Sequence, residues 1–269
     1  MKPDAVAGGR AARSLSQGGG WWGERMAGRL AASVGTGRLR IVLALRLLHR
    51  PRVRIELFGE DHCRAAYAAF TARHPKFPVV RRKSFGAALR DLAAPESELF
   101  AGPRFELLRR KVRRARRLGY QIRLFEPLDE LQAILRVHVS GKLRQGRAIR
   151  PEYLDHGKLA AYCVQPGPWY GVFDAQQVLR GYCHLPVVGE CCVFSRIMGD
   201  ADRLEDGVMY LLVHDAVTAM HRLRERTGHP RWAFYDMILG GSQGLRDFKH
   251  RCGFDPYRVS WHWRGGASR

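Results

Sequence analysis

Apolar and polar side chains alternate over residues 53–58, as in a strand buried on one face, and residues 77–82 read as another strand. Between them, Ala65, Ala66, Ala69 and Phe70 fall on one side of a helix spanning 61–74. Residues 86–92 form a short run that reads as a further strand. The firmest helical period lies at 104–118, where Phe105, Leu108, Val112 and Ala115 make one apolar stripe and Gly119 supplies the stop. A strand at 121–125 and a helix at 128–143, entered through Pro127, come next.

From residue 169 the pattern turns to strands. Residues 169–174 and 178–188 are rich in Val, Tyr, Phe and Leu, and the gap Ala175-Gln176-Gln177 predicts a hairpin. The middle of 190–198 is continuously apolar, which predicts a third strand buried on both faces. A polar loop at 199–206 leads into a helix at 207–223, with Val208, Leu211, Leu212, Val217 and Met220 on its apolar side. Then come a strand at 232–238, a glycine-rich turn at 240–244, a helix at 245–252 capped by Ser242 and stopped by Gly253, and a last strand at 257–263. The class is α/β in the α+β sense: a mixed, mostly antiparallel central sheet flanked by helices. The chain divides into a basic, disordered tail (1–50), a first part containing the basic helix (51–150) and a C-terminal core (151–269).

Charge changes the picture at one place. Lys and Arg number 46 against 25 Asp and Glu, for a net charge of +21. The excess is +10 over residues 1–103, +10 over the 47 residues 104–150, and +1 over 151–269. The middle is therefore a concentrated basic element, and within its helix only Glu106 offsets the charge. Arg110, Arg113, Arg114 and Arg117 are the candidate contacts for a polyanion. Richness in Arg, Ala and Gly also fits a coding bias, and a charge run is equally a solvated face. Residues 1–50 hold nine basic and two acidic groups, a composition shared by transit peptides, by a floppy tail, and by a membrane-surface helix over 38–50.

Six cysteines, none in a CxxC pair or near His at metal spacing, read as buried thiols of a reducing cytoplasm, with no metal site. No run reaches the ~20 apolar residues of a membrane span.

The strand–strand–strand–helix–strand–helix–strand order of 169–263 resembles the conserved half of the Gcn5-related N-acetyltransferase (GNAT) fold. The segment Gly244-Leu245-Arg246-Asp247-Phe248-Lys249-His250-Arg251-Cys252-Gly253-Phe254 is similar to the closing motif of that superfamily, in the Gly-Leu-x-x-Phe-Lys variant of its FemAB-like branch. The Arg-rich helix ending at Gly119, the strand after it, and the Arg144-Gln145-Gly146-Arg147 loop also resemble such modules; the likeness covers about residues 100–263. It implies transfer of an acyl or aminoacyl group to an amine, on a small molecule or a peptide. The donor would be acyl-CoA, an acyl carrier protein or aminoacyl-tRNA. The alternative is a non-catalytic module of the same fold that binds nucleic acid or another polyanionic surface.

On this resemblance the transfer site lies where the strands 190–198 and 232–238 part, near residues 196 and 236. Lys249 would stabilise charge on the transferring carbonyl, against the alternative of a solvated lysine; Asp236 would act as base or orient the amine, or else cap the following turn. Tyr210 is a third catalytic candidate, though its position in the helix suits packing. Arg196, Gly207, Ser242, Gly244 and Phe248 would line the donor, and Arg144, Gln145 and Arg147 would clamp the acceptor. Two departures stand out. The phosphate-cradling loop expected before the long helix reads Arg203-Leu204-Glu205-Asp206-Gly207, with two acids, and a lysine replaces the usual tyrosine after Phe248. His138, His184 and His214 read as structural.

Overall fold

The computed structural model describes residues 47, 49–75, 81–141, 143–144, 147–239 and 241–265. The expected tail (1–50, but for 47, 49 and 50), most of the expected strand 77–82, and Gln145 lie outside them. Two curved sheets form the centre. The first takes the order β1-β12-β2-β11-β9-β8, from β1 (Arg52–Leu57), β2 (Phe85–Asp91), β8 (Val187–Val188), β9 (Cys191–Val193), β11 (Trp232–Met237) and β12 (Asp255–Trp263). The second takes the order β10-β7-β6-β3, all antiparallel, from β3 (Gln121–Leu124), β6 (Trp169–Phe173), β7 (Leu179–His184) and β10 (Arg196–Gly199). A two-residue ladder joins β4 (Leu143–Arg144) to β5 (Arg147–Ala148).

Among the described residues six helices cover the sheets. The largest core gathers one face of both: α2 (Glu106–Arg117) and α5 (Val208–Thr227) bring Leu108, Val112, Ala115, Leu211, Leu212 and Val217 against Cys183, Cys192 and Ala233. On the opposite face, α1 (Asp61–Thr71) seats Cys63, Ala66 and Phe70 over the first sheet. There α3 (Leu131–Val139) and α4 (His156–Cys163) seat Ile134, Val137, Leu159 and Tyr162 over the second. The sixth helix, α6 (Gln243–Arg251), starts at Ser242, whose hydroxyl accepts the Leu245 N–H at 3.3 Å.

Several elements differ from expectation, each for a local reason. The run 178–188 is two strands, because Pro186 has no N–H for the ladder; Val187–Val188 turn to the first sheet. The run 190–198 is also two strands, β9 and β10, which belong to different sheets. The polar loop is a 3-10 helix, Ala201–Asp206. The helix expected over 128–143 stops at Val139, where Ser140-Gly141 follow and the Ser140 hydroxyl donates to the Val137 carbonyl. The helix α4 was not expected. It has eight residues with Gly157 in its first turn, so its period is faint, though Asp155 caps it by accepting the Lys158 N–H at 2.9 Å.

The short run at 86–92 is more than an edge. β2 lies between β11 and β12, with five consecutive buried residues, so it shows no alternation. One of those five is Arg90, 5% exposed. Its guanidinium donates to the carbonyls of Cys252 and Leu99 and lies 4.2 Å above the Phe100 ring. Burial pushes its pKa down to about 10. Arg90→Met leaves two buried carbonyls without donors and should lower unfolding free energy by about 3 kcal/mol in urea titrations.

Candidate functional site

The site begins with a change of partner along one chain segment. β9 runs parallel to β11 from Cys191↔Trp232 to Val193↔Phe234, and the Phe194 N–H still reaches the Phe234 carbonyl at 2.9 Å. The next N–H, of Ser195, bonds instead to the His184 carbonyl at 3.0 Å, and β10 continues along β7 in the other sheet. The two strands therefore part at Phe194 and Phe234, as expected near 196 and 236. Rings fill the crotch: Phe194 stacks on Tyr235 with centroids 5.3 Å apart, and Phe254 meets both edge-on.

Beyond the crotch each wall presents backbone. The Asp200 N–H bonds Arg180 O at 2.7 Å, which fixes the ladder phase. Arg196 and Met198 point their N–H groups at β7, and Ile197 points its own to the side β11 has left. On the other wall, β11 bulges between Phe234 and Met237 against β2. Asp236 sits in that bulge with φ 53, a conformation that strains a residue with a Cβ. Its carboxylate pairs with Lys83, a buried lysine from the loop before β2.

Lys249 is not solvated. It is 1% exposed on α6, its ammonium donates to Met237 O at 3.0 Å, and it lies 4.8 Å over the Tyr235 ring. Met237 and Asp236 adjoin, so Lys249, Asp236 and Lys83 converge on the free end of β11. Phe248 packs edge-on against Tyr210 at 4.9 Å, and burial raises the Tyr210 pKa; the tyrosine is held as packing beside the site.

The other candidates are spread out. Gly207 adopts φ 95 and begins α5, but a Cβ there would lie 2.5 Å from the Lys111 carbonyl; the close approach of α2 requires this glycine. Gly244 faces open space in the first turn of α6. Arg196 is 2% exposed and points to the α3–α4 face, with its guanidinium 3.7 Å over Tyr162 and 4.9 Å over Tyr153, away from Gly207 and α5. Arg144 and Arg147 face each other across the β4–β5 ladder. One of the two acids before Gly207 is compensated: the Tyr120 hydroxyl donates to Asp206 at 2.8 Å and Arg114 lies 3.6 Å from it, while Lys111 donates to the backbone carbonyl of Glu205.

The charged face of α2 is thus better compensated than its own sequence implies. Arg104 forks onto Asp255, Arg109 donates to the Phe100 and Gly102 carbonyls, and Arg116 meets Asp215 at 2.8 Å. Among the described residues, Arg110, Arg113 and Arg117 are exposed and have no acidic partner. No group of His, Cys, Asp and Glu among the described residues is arranged to hold a metal, and no helix there is long and apolar enough to cross a membrane. All six cysteines are buried and outside any disulfide.

Sequence reading missed Lys83, Ser195 and Tyr162. Lys83 stands in a basic run with nothing to distinguish it from Arg81 and Arg82, and Ser195 breaks an apolar run, a signal that was available.

No family model and no curated protein sequence matches this chain. Solved structures do. The chain is similar to the C-terminal domain of a lysylphosphatidylglycerol synthetase from Agrobacterium fabrum, at 17% identity and TM-score 0.41, over 64% of this chain and 57% of that one. It is similar to FemX at 12% identity and TM-score 0.46, over 64% and 59%. It is also similar to a tandem GNAT protein from the clavulanic acid biosynthesis pathway, at 14% identity and TM-score 0.40, over 74% and 57%. In each case the match spans less than two thirds of the other chain's length.

The Lys83–Asp236 pair holds a strained residue in place. Lys83→Met and Asp236→Asn should each destabilise the fold, and the double variant should lose less than their sum, with a coupling of about 1 kcal/mol in a double-mutant cycle of urea midpoints.

Proposed function

We propose that the chain is an acyltransferase of GNAT-like, FemAB-like type, which moves an acyl or aminoacyl group from an activated donor to an amine. The observation that carries this reading is the parting of β10 from β11 beside Lys249. The outward Ile197 N–H of this edge strand offers a donor for an oxyanion that develops on the carbonyl under attack. A buried ammonium on the opposite wall adds fixed positive charge where water is excluded, so it acts with little screening. Asp236 would orient the incoming amine, with Phe248 and Tyr210 as the apolar wall beside it. Gly207, Ser242 and Gly244, at the starts of α5 and α6, would meet the donor, with Arg196 reaching the site from the opposite face. Arg144, Gln145 and Arg147 would meet the acceptor.

The donor is an ester or thioester. Arg110, Arg113 and Arg117 favour one carried on a polyanion: aminoacyl-tRNA before an acyl carrier protein, and either before acyl-CoA, for which no multi-glycine cradle precedes α5. The protein would work in the cytoplasm. A purely binding role draws on the same exposed arginines.

A thermal-shift screen with acetyl-CoA, longer acyl-CoAs, aminoacyl-tRNA and acyl carrier protein tests the donor; a donor that binds the folded state at a hundred times its Kd stabilises it by about 2.7 kcal/mol. Lys249→Met should lower kcat by ~10²-fold or more while the melting temperature of the donor complex still rises; a variant with full turnover removes the assignment. Neutralising Arg110, Arg113 and Arg117 together should flatten the salt dependence of tRNA affinity by about 3 in log–log slope, a change absent if the tRNA lies elsewhere.

A further inference from the structure

On the face of the fork opposite Lys249, four polar groups stand in one line. Ser195, 4% exposed, occupies the residue at which the chain changes sheets. Its Oγ is 3.0 Å from the hydroxyl of Tyr162 on α4, and that hydroxyl is 2.8 Å from Nδ1 of His184 on β7. Nε2 of His184 is 2.9 Å from the Pro166 carbonyl.

The proton positions follow from these contacts. A carbonyl only accepts, so Nε2 carries the hydrogen, and in the neutral ring Nδ1 is then an acceptor. Tyr162 has one hydroxyl hydrogen. It donates to Nδ1 and accepts from Ser195. The polar order is Ser195 to Tyr162 to His184, directed away from the fork. Trp169 stacks on the imidazole at 4.8 Å, and Tyr162 lies edge-on to it. Arg196 is the cross-strand neighbour of His184 and lies flat on Tyr162. Its charge opposes a second positive charge on the imidazole. Two weaker acids complete the surroundings, Tyr182 on β7 and Cys163 on α4, both with pKa values raised by burial, Cys163 to about 11.

We propose that Ser195, Tyr162 and His184 are a proton relay for the acceptor, so that the amine reaches the carbonyl from the α3–α4 face. This rests on the transferase reading. The amine nitrogen forms its bond to the acyl carbon as the carbon–oxygen or carbon–sulfur bond of the donor breaks, and the departing atom keeps that electron pair. The proton shed by nitrogen passes to Ser195 Oγ, the Ser195 hydrogen to Tyr162, and the Tyr162 hydrogen to Nδ1. The departing atom takes a proton from water, and the imidazolium returns one. Ser195 touches the acceptor; Tyr162 and His184 act through it.

Two measurements on the full chain test this. In nitrogen-15 NMR with labelled histidine, His184 (assigned by its loss in His184→Gln) should hold its hydrogen on Nε2 at pH 8 and gain a second, reversibly, as the pH falls toward 5. In transfer from aminoacyl-tRNA or acetyl-CoA to methylamine, Tyr162→Phe and Ser195→Ala should each lower kcat by ~10²-fold with KM within about twofold, and abolish any curved dependence of rate on deuterium fraction. A purely structural network would lower the melting temperature and leave kcat of the folded fraction unchanged. That result, or a ring with its hydrogen on Nδ1, overturns the relay; Ser195→Ala, which deletes one oxygen, keeps the test open should Tyr162→Phe fail to fold. Failure of the transferase reading looks different: the ring titrates as described, and wild type transfers from neither donor.

Discussion

A β-strand can be satisfied by one neighbour on each side, and between Phe194 and Ser195 this chain exchanges one neighbour for another. Up to that point the segment belongs with β11; after it, with β7. The exchange joins two sheets covalently and leaves two backbone edges facing each other with nothing between them but side chains. The aromatic filling of the crotch, the bulge at Asp236 and the burial of Lys249 are all consequences of that divergence. Without it there is a single continuous sheet in place of two.

The fork also sorts chemistry by face. Lys249 and Tyr235 lie with the α5–α6 side, whereas Ser195, Tyr162, His184 and Arg196 lie with α3 and α4. The buried cations Arg90 and Lys249 both rest against carbonyl oxygens and aromatic rings. Such surroundings localise a charge without cancelling it, as a carboxylate would.

What the sequence made legible was periodic. The stripe Leu108–Val112–Ala115, the apolar side of α5 and the Ser242 cap all rest on patterns a few residues long, whereas the parting near 196 and 236 came from the resemblance. What it hid was pairing. β2 carries no alternation because both its faces are covered, and the compensation of Arg104, Arg114 and Arg116 comes from Asp255, Asp206 and Asp215, some 90 to 150 residues away. The burial of Lys249 was likewise invisible, since a lysine between Phe248 and His250 looks the same whether its ammonium meets water or the Met237 carbonyl.

The position of β12 has a temporal meaning. Among the described strands its two neighbours, β1 and β2, are made first and β12 itself comes last; Arg52 pairs with Arg258 and Ala88 with Pro256. During synthesis β1 waits for a partner about 200 positions downstream, and β2, whose other neighbour β11 is made sooner, still lacks its β12 side. Closing so long a loop is an entropic cost met only at the end, which makes the assembly of this sheet slow and its earliest strands dependent on protection until the final one arrives.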